Sequence, residues 1–96
     1  MASPDNLLLP NRNAVERALG LSIIEDIPIM MDYWTPSLDG EIIIGIRDNE
    51  EKLLVKNSEE YTSPVQKIYK VEDVYLILTE NSLYMIDAKC QARKIS

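Results

Sequence analysis

Ninety-six residues, 46% of them apolar and 27% charged, suit one globular domain that buries roughly 60–65% of its unfolded surface, and they exclude a disordered chain. A net charge of −6 puts a phosphate backbone at a disadvantage and disfavours nucleic acid as a partner. The absence of histidine removes the commonest general base, the Ser-His and Cys-His nucleophile pairs, and most catalytic zinc sites.

The chain opens without a secretory-signal pattern: its first charge is Asp5 and its longest early apolar run is Leu7 to Leu9. No segment approaches the ~20 apolar residues that cross a bilayer, so a cytoplasmic location and no membrane partner are expected. Ser3-Pro4-Asp5 can cap a single helical turn, which Pro10 would end. Asn13 and Glu16 have the spacing of a capping box, with Asn11 as the other candidate cap. Val15 and Leu19 share a face with Ala18 beside them, and Gly20 is expected to close the helix after two to three turns. A helix that short must dock on something, through those three side chains.

Beyond Ile23 the pattern becomes that of strands. Ile27 to Met31 predicts a strand whose Pro28 places it at an edge or a strand start, and Tyr33-Trp34-Thr35 continues it. Asp39-Gly40 is a hairpin signal inside the turn Pro36 to Gly40. Glu41 to Arg47 is the next strand, with Ile42, Ile44 and Ile46 on one face and Ile43 and Gly45 on the other. A polar turn over Asp48 to Glu51 leads to a strand over Lys52 to Lys56 and a loop over Asn57 to Pro64. Further strands are predicted at Val65 to Val71, Val74 to Thr79, Leu83 to Asp87 and Gln91 to Ile95. Short connections make consecutive strands antiparallel neighbours.

The expected fold class is mainly β (α+β) in a single domain, 1–96. An N-terminal arm and short helix over 1–22 precede an antiparallel β-meander of about six strands over 27–96, closed into a small roll, barrel or sandwich. Aligning Glu41 with Asp73 also pairs Ile42 with Val74, Ile44 with Leu76, Ile46 with Leu78 and Asn49 with Asn81, a match that any two apolar hairpins would give. The run from Val65 to Ser96 looks like one β-propeller blade in local pattern. One copy cannot close a propeller, so the likeness supports a four-stranded meander and no family membership.

A sheet with one solvated face alternates apolar and polar residues. Val74-Tyr75-Leu76-Ile77-Leu78, Leu83-Tyr84-Met85-Ile86 and Ile42-Ile43-Ile44 do not. The helix and arm can cover the second face, the sheet can curl on itself, or the face can bind another molecule. One short helix covers only part of a sheet, so a homo-oligomer or a protein partner is expected on the remainder. The contact residues expected there are Tyr33, Trp34, Tyr75, Ile77 and Tyr84.

Catalytic signals are absent. Gly20, Gly40 and Gly45 are scattered and form no phosphate loop, and the single Cys90 rules out an intramolecular disulfide or a Cys-based zinc site. Asp48, Glu50 and Glu51 lack the spacing of a calcium loop and read as solvated charges, as do Glu25-Asp26 and Glu59-Glu60. A glycosidase-style carboxylate pair leaves no spacing signature to support it. Cys90 lies beside Lys89 and near Arg93 and Lys94, which can lower a thiol pKa, but it has no histidine to activate it. No catalytic, cofactor or metal residue is assigned, and a non-enzymatic interaction module is expected. The alternative is a small acidic inhibitor or immunity-type protein directed at a basic toxin, nuclease or defence protein, because residues 1–32 carry −3 and 33–64 carry −4, against +1 over 65–96. A small apolar ligand held in a β-roll lined by Ile, Leu and Tyr is a further class.

Overall fold

The computed structural model describes residues 8–95; the turn expected at Ser3-Pro4-Asp5 lies outside them. Helix α1 spans Arg12–Glu25. Asn11 is its cap, accepting from the Ala14 amide at 2.8 Å, and its Nδ2 donates to the Val71 carbonyl at 3.1 Å and to Asp73 Oδ1 at 2.9 Å. The helix does not stop at Gly20. It continues to Glu25 and closes on Asp26, which takes the left-handed conformation (φ 57°). Gly20 meets open space, so its cost of about 0.5–1 kcal/mol relative to Ala is met by the packing of the helix around it.

Strand β1 is only Ile29–Met30, and the chain then turns into a second short helix, α2, over Trp34–Leu38. The predicted continuation of the strand through Tyr33-Trp34-Thr35 is therefore corrected. Pro36 falls in the first turn of α2, where its missing amide costs no hydrogen bond, and Gly40 (φ 76°) follows the helix end rather than forming a hairpin. The remaining strands are β2 (Ile43–Ile46), β3 (Lys52–Val55), β4 (Val65–Val71), β5 (Val74–Thr79), β6 (Leu83–Asp87) and β7 (Gln91–Lys94).

The fold is mostly β with a leading helix, as expected. It has two mixed sheets, ordered β1-β6-β5-β4 and β3-β2-β7, and neither closes into a barrel. β4-β5-β6 form an antiparallel meander and β2-β3 a hairpin, but β1 lies parallel to β6 and β7 parallel to β2. The four-stranded meander expected over Val65 to Ser96 breaks at β7, which crosses to the other sheet. Ile95 follows it there: its amide bonds the Ile46 carbonyl, and its side chain covers the space above Gly45.

The apolar β5 and β6 are explained by three layers. Val74, Leu76, Leu78, Leu83 and Met85 face the helices, in a core with Ala14, Ala18 and Trp34. The alternate residues Ile77 and Ile86 face the second sheet, in a core with Tyr33, Ile42, Ile44 and Leu54; Tyr75 and Tyr84 pack at its margin. The central strands are covered on both faces by their own chain. The helix docks through the small side chains of Ala14 and Ala18, both 0% exposed, which let it approach the sheet closely. Val15 and Leu19, expected to dock, point outward instead.

Candidate functional site

Of the five residues predicted to contact a partner, Tyr33, Tyr75, Ile77 and Tyr84 are brought together around the core between the sheets, and Trp34 is separated from them in the helix-side core. Ile77 is 0% exposed, and Tyr33 and Trp34 are buried. Tyr33 meets Tyr84 edge-on, with ring centroids 5.2 Å apart, and the Lys56 ammonium lies 4.7 Å from the Tyr33 ring centre. Trp34 lies in the helix-side core and donates its indole N–H to the Leu8 carbonyl at 2.8 Å, pinning the arm to α2. Tyr75 and Tyr84 are half-buried. The second face of the meander is thus an internal floor covered by β2 and β3, a correction to its reading as a docking face.

The exposed apolar surface is on the other side of the molecule. Val15 (37% exposed), Leu19 (52%) and Ile23 (79%) recur at every fourth position of α1 and form one row along it. Leu9, Val15, Leu19, Ile29 and Met31 line a groove of about 560 Å3 beside β1, rimmed by Arg12. Met30 and Met31 are also exposed, so the apolar row and the β1 edge are continuous. In the sequence Gly20 conceals Ile23, because a glycine at that position reads as the helix end. Without that stop, the spacing 15-19-23 would have marked the row.

The other sheet edges carry charge, the usual guard against unwanted strand pairing. Among the described residues, β4 presents Lys67 and Lys70, β7 presents Arg93 and Lys94, and β3 presents Lys52, all exposed. Only two residues long, β1 has no charge of its own.

The potential reactive groups are damped. Cys90 is half-buried, and burial together with the nearby Asp87 pushes its thiol up to about 11, so the expected effect of Lys89, Arg93 and Lys94 is overridden. Burial, with Tyr84, Asp32 and Glu60 close by, likewise pushes Tyr33 up to about 12. In the polar turns Glu51 pairs with Arg47 at 3.4 Å, Asp48 with Lys94 at 4.0 Å and Glu60 with Lys56 at 3.8 Å. No group of three metal-ligating side chains occurs among the described residues, and none of their helices is long and apolar enough to cross a membrane. Comparison with protein-family models, with curated proteins and with solved structures finds no match.

Proposed function

We propose that the chain is a non-catalytic protein-interaction module that works through the helical face formed by α1 and the β1 edge. The observation that carries this reading is the exposed row Val15, Leu19 and Ile23. A stable fold gains nothing from leaving these side chains in water, and contiguous exposed apolar surface of several hundred Å2 is typical of interfaces. The uncharged β1 edge beside the row adds to this, since the other edges are guarded. The raised thiol and phenol of Cys90 and Tyr33 fit a chain without an activated nucleophile.

The test is native mass spectrometry of untagged protein gently purified from its own source, comparing wild type with Ile23→Lys. The wild type is expected to carry a second copy or a second protein, and the variant to lose it while keeping its thermal melt. A wild-type mass of 11.0 kDa with nothing attached would contradict the reading.

A second reading, the acidic inhibitor of a basic protein, is favoured by one feature. The edge strand β3 is flanked by acidic segments at both ends, Asp48 to Glu51 on one side and Glu59-Glu60 on the other. Binding through that edge would weaken steeply with salt, whereas binding through the α1 face would not.

A further inference from the structure

We infer that β7 is a latched strand: it opens from β2 as a unit while the rest of the fold stays intact, and the Ile95 side chain seated on Gly45 is the latch. A strand is held by the side chains it buries as well as by its ladder, and β7 has no buried residue. Gln91, Ala92, Arg93 and Lys94 are all exposed, whereas β2 carries the buried Ile44 and β3 the buried Leu53 and Leu54. The charged side chains of β7 add little. Arg93 donates to Gln91 of its own strand, at 3.2 and 3.0 Å, and Lys94 reaches Asp48 only at 4.0 Å, between side chains 72% and 79% exposed.

The strand is tied down at its two ends instead. Before it, Cys90 packs half-buried against the core between the sheets, and its amide donates to the Asp87 carbonyl at 3.1 Å. After it, the Ile95 amide donates to the Ile46 carbonyl at 2.9 Å, and its side chain fills the space that a side chain at position 45 would take. A Cβ on Gly45 would lie 2.6 Å from Ile95 Cδ1, 3.2 Å from Ile95 Cγ1 and 3.1 Å from Val55 Cγ2, the first well inside van der Waals contact. Gly45 does not take a positive φ, so what this site uses is its missing side chain and not its backbone freedom.

Opening from the Ile95 end bares the β2 edge. Ile43-Ile44-Gly45-Ile46 has no charge of its own, and β7 covers it with a strand that presents Arg93 and Lys94 to solvent. The latch therefore sets how often an uncharged, apolar edge is available.

Native-state hydrogen exchange followed by NMR on the full chain, in urea below the unfolding transition, tests this. The β7 amides that pair with β2, Ile95 among them, are expected to exchange together, with little dependence on urea. They should be at least about 100-fold faster than the paired amides of β5, after correction for intrinsic rates. Ile95→Ala is expected to speed β7 exchange by about 10-fold or more, and Lys94→Ala, which removes only a weak surface pair, by less than about 3-fold. Gly45→Ala should speed it by about 10-fold alone but by less than about 3-fold in the Ile95→Ala background, because the side chain it strikes is gone.

Exchange of β7 at the rate and urea dependence of β5 would mean that the strand opens only with the whole fold, and overturns the inference. So does an Ile95→Ala effect no larger than that of Lys94→Ala, or a Gly45→Ala effect that is the same with and without the Ile95 side chain.

Discussion

Tyr33 and Trp34 are consecutive in the chain and enter opposite cores. Trp34 packs among Leu76, Leu83 and Met85 on the helix side of the four-stranded sheet, while Tyr33 packs with Ile77 and Ile86 on the other side. The β5–β6 hairpin is sealed above and below, and α2 is fixed to it by the Ser37 hydroxyl, which accepts from the Asp87 amide at 2.9 Å and donates to the Trp34 carbonyl. This arrangement separates residues that hold the fold from residues free to act outside it.

The separation predicts opposite outcomes for two lysine insertions. Ile77→Lys buries a charge with no counter-ion and should cost more than about 4 kcal/mol, leaving little folded protein. Leu19→Lys, on the exposed row, should change stability by no more than about 0.5 kcal/mol. Urea denaturation followed by circular dichroism at low protein concentration distinguishes them.

Gly20 offers a sharper check on the helix. Because α1 runs through it with open space around its Cα, Gly20→Ala should stabilise by about 0.5–1 kcal/mol. A helix that ended there in the left-handed conformation would be destabilised by the same change, so the sign of the shift in thermal midpoint decides.

Asn11 connects the helix start to the β4–β5 turn, and its loss should be felt by both. Asn11→Ala should cost about 1–2 kcal/mol through the lost cap alone. Asn11→Asp retains the cap acceptor but no longer donates to Val71, and it places a carboxylate beside Asp73. It should therefore remain less stable than wild type in chemical denaturation at neutral pH.

The thiol and the buried phenol set the alkaline limit. Cys90 and Tyr33 titrate higher in the folded chain, at about 11 and about 12, than their ordinary values of 9.0 and 10.0. Between those values the unfolded chain has lost protons that the folded chain keeps, so stability is fully present below about pH 9 and falls as pH rises toward 12. Cys90→Ser should flatten the first part of that fall. At pH 8, alkylation of the native thiol by iodoacetamide should be at least about 10-fold slower than that of an unperturbed cysteine, the lower thiolate fraction outweighing the greater nucleophilicity of a more basic thiolate. Equal rates would show that Cys90 is not held as the thiol.

Much of the fold was legible because strand signals are local. The bounds of β4, β5 and β6 follow from their apolar runs and the intervening turns, such as Glu72-Asp73, where Glu72 takes a positive φ (58°). What stayed hidden was non-local. Nothing in Gln91 to Lys94 says that it will leave the neighbouring β6 and pair in parallel with β2, where the Ile95 side chain lies over Gly45. The Tyr33-Trp34-Thr35 run has strand propensity, but burying its two large rings in opposite cores as α2 begins outweighs that preference. For the candidate site, the failed alternation of β5 and β6 correctly signalled two covered faces, and the error was in supposing that another molecule supplied the second cover. The exposed row on α1 was half visible in Val15 and Leu19, and Gly20 concealed the rest.

Native mass spectrometry of wild type and Leu19→Lys, each purified untagged and gently from its own source, tests the central claim most directly. The account predicts a wild type that carries a second copy or a second protein, and a folded variant of 11.0 kDa with nothing attached. A wild type of 11.0 kDa with nothing attached, or a variant that keeps the same partner, would contradict it.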